Sequence, residues 1–407
     1  MISLSDFAHK SNKNFRLGTK LSKVPEPRKE PQVPLWMGLG WLIYGAAMGM
    51  KSLLQMDQMA RTGEARKFCQ SKRRMVTSDC WYWRVLPQVE QKAIAQLQRE
   101  VGVQLRQQGH QSVKLPGGRK VRVGVVDGTV WGGREVSVLD FLGGVDSLVD
   151  LELSDGKGKE LPTSQRLLQR QGEVLGPGFV DYMLGDGLYI TQQMFRLCRQ
   201  DLKVHLVVKT TEVGSLDILK DANALFDARD GVFDREIEVR QGVDLTRGLK
   251  YRVEAAGGFQ FVGVPFALKV ARVTERPLKQ PQAKPETFWV VTDDLEIGAE
   301  DLRELGHLRW SIENRGFKAL NALAHSKYVW VRTPDTSNLP EPRHRFEVLV
   351  RLLCVAYMLV QAYAATLEQV EVRREFAGIH LTVGFLSRRW LMTLGEASFW
   401  EGLADSG

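Results

Sequence analysis

Two aspartates stand where a sheet could present them for catalysis. Asp127 ends the predicted strand VRVGVVDGT, Asp186 ends the predicted strand DYMLGDGLY, and a glycine follows each. A strand delivers its last residue to the rim of a sheet, where glycine lets the backbone turn away. Because Asp-Gly is also a very common turn dipeptide, either aspartate alone is better explained as part of a turn.

A third acid changes that balance. Glu313 lies in LGHLRWSIENRGFKALNAL, whose apolar spacing predicts a helix, and Arg309 lies four residues before it on the same helix face. Alone they would form a surface ion pair, but beside Trp310 and Ile312 the carboxylate is expected to be partly buried and to need a partner. Three carboxylates converging on a sheet edge would suit Mg²⁺ or Mn²⁺, and two such ions about 4 Å apart can act on a phosphodiester.

Other catalytic signatures are absent from the sequence. It contains no G-x-S-x-G, no Walker loop, no H-E-x-x-H and no G-x-G-x-x-G at a strand-to-helix turn. None of the four cysteines, Cys69, Cys80, Cys198 and Cys354, belongs to a C-x-x-C pair. We therefore expect no structural zinc, and core thiols in a reducing cytoplasm.

The elements that would position the acids follow a recognisable order. From residue 116 the patterns predict β-β-β-α-β-α-β, which indicates an α/β fold with a mixed sheet flanked by helices. The predicted organisation is a flexible basic arm, a helical DNA-binding region, a catalytic domain in two parts, a β-rich insertion between them and a helical C-terminal region. Their ranges are 1–32, 33–115, 116–211 with 287–335, 212–286, and 336–407.

Composition describes an ordinary globular chain with surplus cations. The 407 residues carry 56 Lys+Arg against 48 Asp+Glu, a net charge of +8. This surplus favours a phosphate-rich partner or an anionic surface, although solubility alone explains it about as well. The N-terminus has no signal-peptide pattern, and the uncharged stretch 33–50 is predicted to be a buried helix rather than a membrane anchor. We expect no membrane contact.

The motifs DGT, GDGLY and RWSIENRGFK, in this order, resemble those of the DDE transposases of bacterial insertion sequences, in the large group with a β-insertion before the final Glu. The resemblance covers roughly residues 116–335. It implies a ribonuclease H-like sheet on which Asp127, Asp186 and Glu313 hold two Mg²⁺ ions, with Mn²⁺ as a possible substitute. It also implies double-stranded DNA as partner, both element ends and target, a homodimer in the DNA complex, and a bacterial cytoplasmic, nucleoid-associated location.

The family pattern around the Glu is Tyr, two residues, Arg, three residues, Glu, six residues, Lys. Arg309 and Glu313 match it, whereas Gly306 and Leu320 stand at the Tyr and Lys positions. The resemblance implies DNA contacts from four cations. These are Arg309, Lys209, Arg315 and Lys318. A solvated lysine at a strand end explains Lys209 equally well.

Aromatic residues offer a further, weaker expectation. Trp131, Phe259 or Phe261 could hold a flipped base near the cut, although core packing explains each of them better.

Two other functions stay open from the sequence. A DNA-binding regulator or inactive transposase remnant would bind DNA without cutting it, and the missing Tyr and Lys favour this slightly. A glycoside hydrolase could use an Asp/Glu pair without metal. The basic composition and the Arg309–Glu313 pair argue against the hydrolase.

Overall fold

The structure is a computed structural model that describes residues 4–61, 77–214, 216–228, 236–324, 326, 330 and 340–366. The predicted basic segment around residues 66–74, including Cys69, and the tail beyond residue 366 lie outside the described residues.

The fold is built on one mixed sheet of nine strands, in the order β5-β4-β3-β6-β7-β11-β10-β9-β8. β3, β4 and β5 form an antiparallel meander, and β6 and β7 run parallel to β3. β11 is antiparallel to β7, and β10, β9 and β8 continue the sheet. The nine strands are β3 (Val123–Trp131), β4 (Arg134–Leu142), β5 (Ser147–Leu153), β6 (Tyr182–Asp186), β7 (His205–Thr210), β8 (Glu238–Asp244), β9 (Leu249–Phe259), β10 (Leu268–Pro277) and β11 (Glu286–Thr292); a small hairpin of β1 (Val113–Lys114) and β2 (Lys120–Val121) precedes them.

Helices cover both faces of the sheet. They are α1 (Leu4–Phe15), α2 (Leu17–Ser22), α3 (Leu35–Ala47), α4 (Leu53–Ala60), α5 (Asp79–Val85), α6 (Gln91–Gln107), α7 (Glu160–Leu175), α8 (Gln192–Arg196), α9 (Asp217–Asp227), α10 (Ala299–Leu308), α11 (Lys318–Ala324) and α12 (Pro340–Ala365). Strand alternation divides the core: Val123 and Val125 of β3 pack with the terminal helices and with α10 and α11, whereas Val126 packs with α7, α8 and α9. The predicted α/β class with a mixed sheet between helices is confirmed.

The segment 212–286 is not a separate β-rich unit. It contains α9, and its strands β8, β9 and β10 extend the main sheet because β10 pairs with β11 along seven residues, from Lys269 opposite Thr292 to Glu275 opposite Glu286. The three β-prone pieces predicted in this segment contribute β8, β9 and β10, and their assignment to an insertion between the two parts of the catalytic domain stays a prediction.

The N-terminal arm is structured rather than flexible. Residues 4–22 form α1 and α2, and Phe7, Leu17 and Leu21 are buried. The ring of Phe7 meets the ring of Tyr363 edge-on at 5.4 Å. Its apolar residues therefore anchor the arm to α12 despite the surrounding cations, which corrects the prediction of a flexible segment.

Two apolar segments pack inside the protein. α3 is buried along most of its length, which confirms the prediction of a buried helix for this stretch. Among the described residues α12 is long and apolar enough to cross a membrane, but its apolar window is wholly buried. Arg351 of α12 is itself buried and pairs with Asp150 of β5. The structure is compatible with a soluble protein.

Candidate active site

Register places the two aspartates side by side. β3 and β6 are parallel, and their last paired residues are Val125 and Leu184. Two residues further along each strand come Asp127 and Asp186, whose side chains therefore leave the same face of the sheet. Asp127 lies within β3, still paired with Val138 of β4, and not at the strand end that the sequence suggested. Only β6 ends here, which opens the rim beside Asp127.

A guanidinium group joins the three acids. Arg309 Nη2 lies 3.4 Å from Asp127 Oδ1 and 3.2 Å from Asp186 Oδ2, and Nη1 pairs with Glu313 Oε1. Arg309 and Asp127 are buried, whereas the Glu313 side chain is 45% exposed. The structure thus brings together all three predicted acids and gives them one shared counter-ion.

The helix that carries Arg309 and Glu313 is not a regular α-helix. α10 ends at Leu308, and residues Ile312–Phe317 form a π-helical turn that leads into α11. The N–H of Lys318 bonds to the carbonyl of Glu313, five residues back. π-helical turns are uncommon and occur frequently at functional sites. Glu313 therefore sits on an irregular turn in a segment that was predicted to be one continuous helix.

Burial gives the carboxyl group of Asp127 a raised pKa. Loss of solvent raises its pKa, Arg309 lowers it, and Asp186, Glu313 and Glu160 raise it again, to about 7. Burial is the largest of these effects on the pKa of Asp127, and Arg309 is the effect that opposes it. Asp186 is held differently, because its Oδ1 accepts the N–H of Leu188 at 2.9 Å.

A fourth acid near the site was not predicted from the sequence. Glu160, the first residue of α7, accepts a hydrogen bond from the Tyr189 hydroxyl at 3.1 Å. Burial raises the pKa of Glu160, and Asp186 raises it further. The only sequence signal was an acid in the first turn of a helix after the third strand. Tyr189 was quoted in GDGLY without a role.

Carboxylate oxygens are the donors that Mg²⁺ and Mn²⁺ prefer, so the acids fit such ions chemically. Their negative charge exceeds that of the one guanidinium group among them. Within the described part of the chain, however, no three acidic, histidine or cysteine side chains are grouped closely enough to hold an ion as they stand. Arg309 occupies the centre of the set.

Lys209 is covered by aromatic rings. It lies in register with Asp186 across β6 and β7. Its Nζ is 3.6 Å from the ring centre of Trp310 and 3.9 Å from that of Phe288. Burial lowers its pKa to about 8. A DNA contact from Lys209 stays a prediction, and it would require Trp310 to move.

The other predicted DNA contacts differ in exposure. Arg309 is buried among the acids, and Arg315 is turned inward, with its Nε 3.1 Å from Asp146 Oδ2. Lys318 is exposed, and its Nζ donates to Asn314 Oδ1 at 2.6 Å. Of the four cations, Lys318 is the one best placed to meet a phosphate.

The two departures from the family pattern have physical causes. Gly306 packs against β11, where an added Cβ would lie 2.9 Å from Val290 Cγ2, so a tyrosine cannot point in this direction. Leu320 is wholly buried in the core. His307, beside Gly306, bonds to Glu275 Oε1 at 2.7 Å.

The aromatic candidates for a flipped base are placed mainly in the core. Trp131 is buried and meets Phe317 edge-on at 5.7 Å, and Phe259 is buried. Phe261 is half-buried against Phe195, with ring centres 6.2 Å apart. The preferred expectation of core packing is confirmed for Trp131 and Phe259.

Comparison with known proteins gives no independent identification. No family model matches the chain, and no curated protein matches it.

Proposed function

We propose that this protein is a DDE transposase, which cleaves DNA at the ends of an insertion sequence and joins them to target DNA. The observation that carries the proposal is the convergence of Asp127, Asp186 and Glu313 on Arg309. The topology supports it, because three antiparallel strands followed by two strands parallel to the first resemble a ribonuclease H-like sheet.

In this proposal the three acids hold Mg²⁺, or Mn²⁺ in its place. The bound ions supply activation of a water or a 3′-hydroxyl and stabilisation of the leaving 3′-oxygen. Asp127 and Asp186 are fixed in direction by the sheet, and Asp186 turns Oδ2 toward Arg309 while its Oδ1 accepts the N–H of Leu188. We infer that Arg309 offsets part of the negative charge of the acids before an ion binds and afterwards orients Glu313 or a phosphate.

The DNA partner and the assembly follow from the same proposal. The half-exposed Glu313 and the exposed Lys318 mark the side from which a DNA strand would approach. A homodimer on paired element ends and a bacterial cytoplasmic, nucleoid-associated location rest on the family resemblance. DNA affinity should fall steeply with salt, because phosphate contacts release counter-ions.

The test is cleavage of the gene's own flanking DNA by the full chain. A supercoiled plasmid carrying both flanks is incubated with protein and Mg²⁺, and we expect nicked and linear products. Asp127→Asn, Asp186→Asn and Glu313→Gln should abolish them. Asp221→Asn, an exposed acid on α9, is the matched control and should cleave normally. An equal loss in the control, or cleavage that persists in Asp127→Asn, would overturn the assignment.

A DNA-binding protein without cleavage activity is the second candidate. It is favoured by the position of Arg309 among the acids and by the core-facing Gly306 and Leu320. Tight, salt-sensitive binding of the flanking DNA with no Mg²⁺-dependent product would select this candidate.

A further inference from the structure

We propose that Glu160 is a positioning residue that ties together the two chain segments carrying Asp127 and Asp186. This inference rests on the proposed function, because it explains how two acids on separate strands keep one arrangement.

Glu160 reaches the site from the other side of the sheet. The side chain of Asp127 leaves β3 on the face of α10 and α11, so the neighbouring residue Gly128 faces the side of α7. A Cβ at position 128 would lie 2.2 Å from Cδ of Glu160. The glycine after Asp127 is therefore required for close approach, and not only for a turn.

The Glu160 carboxylate has two partners, one on each segment. The carboxylate packs against Gly128, where an added Cβ would lie 2.3 Å from Glu160 Oε2. The Gly128 N–H donates to Asp127 Oδ1 at 3.0 Å and also lowers the pKa of Glu160. The Tyr189 hydroxyl donates to Oε1 at 3.1 Å, and Tyr189 is three residues after Asp186. One carboxylate thus bridges the backbone beside Asp127 and the turn that follows Asp186.

Burial, further hydrogen bonds and the start of α7 stabilise Tyr189 and Glu160 in this arrangement. Tyr189 is fully buried, and burial raises the pKa of its hydroxyl far above the usual value, so it remains a donor. Its oxygen also lies 2.9 Å from Ser164 Oγ, which donates to Ser137 Oγ at 2.9 Å. Glu160 itself begins α7, where the helix N-terminus favours a negative charge.

Three variants separate this role from general support of the fold. Glu160→Gln removes the charge and one acceptor oxygen, and Tyr189→Phe removes only the hydroxyl. Glu173→Gln, an exposed acid on the same helix, is the matched control. Hydrogen exchange is measured on peptides covering residues 123–131 and 184–190, and Mn²⁺ affinity is measured by the loss of the free-ion electron paramagnetic resonance signal.

We expect faster exchange in both peptides for Glu160→Gln and Tyr189→Phe, with Mn²⁺ affinity lowered by about 10- to 100-fold, as for other groups that orient metal ligands. Exchange and affinity equal to those of Glu173→Gln would overturn the proposal. So would faster exchange confined to the start of α7.

The proposed function fails separately. If the wild-type protein binds no Mn²⁺, or if Asp127→Asn binds it equally well, the metal site is refuted. Faster exchange in both peptides would still support the bridge by Glu160 in that case.

Discussion

Replacing Asp127 by asparagine should stabilise the protein at alkaline pH while it abolishes cleavage. The pKa of Asp127 is raised from 3.8 to about 7, mainly by burial. A folded-state pKa above the unfolded value means that the contribution of Asp127 to stability is fully present below pH 4. It is lost as the pH rises through 7.

The size of the effect follows from the shift. A difference of about three pKa units corresponds to about 4 kcal/mol between the two protonation states. Above pH 7 the ionised Asp127 therefore lowers the free energy of unfolding by up to about 4 kcal/mol relative to a neutral group of the same shape. Asparagine is such a group, and Arg309 keeps Asp186 and Glu313 as partners in the variant.

The assay is urea unfolding followed by tryptophan fluorescence at pH 5 and pH 8.5. We expect Asp127→Asn to unfold at higher urea than the wild type at pH 8.5, with a clearly smaller difference at pH 5. Asp221→Asn, exposed on α9, should change neither midpoint. A variant less stable than the wild type at pH 8.5 would refute the reasoning, because Arg309 would then stabilise Asp127 more than burial and the other acids destabilise it.

Three further outcomes follow from named contacts. Arg351→Met should cost about 1–3 kcal/mol in urea unfolding, because it removes a wholly buried partner of Asp150, which keeps Arg99 and Arg170; no measurable cost would contradict this. Gly128→Ala should displace the Glu160 carboxylate and lower cleavage in the plasmid assay about 10-fold. The free energy of unfolding, measured in urea, should change by about 1 kcal/mol or less. Unchanged cleavage would count against the contact between Gly128 and Glu160. Lys318→Gln should reduce the salt dependence of DNA binding by about one phosphate contact in titrations at several salt concentrations, whereas an unchanged slope would remove Lys318 from the interface.

Local patterns were sufficient for much of the fold. The alternation and turn residues after position 116 predicted the order of β3 to β7 with the helices between them, because each element carries its own periodicity. Local patterns could not predict that the strands β8, β9 and β10 join the main sheet. It depends on pairing between β10 and β11, and residues that are apart in sequence leave no local signal of such pairing.

The same distinction applies to the site. The three acids were found because each stands in a recognisable local context. The surroundings of Lys209 and Arg315 could not be predicted from the sequence. Lys209 is covered by the ring of Trp310, and Arg315 pairs with the buried Asp146. In the sequence both cations resemble surface charges, whereas in the structure Lys209 is buried and Arg315 is partly buried.

The π-helical turn explains why counting residues from Glu313 gives the wrong lysine position. Seven residues after Glu313 would be two turns of an α-helix and hence the same face, but Leu320 is buried. The turn Ile312–Phe317 closes with a bond from the Lys318 N–H to the Glu313 carbonyl, so a turn here is wider and takes more residues than a turn of an α-helix. Lys318 lies five residues after Glu313, across this wider turn, and is exposed, whereas the Glu313 side chain is half-exposed. We therefore expect Lys318 to serve as the phosphate-contacting cation that the pattern places at position 320.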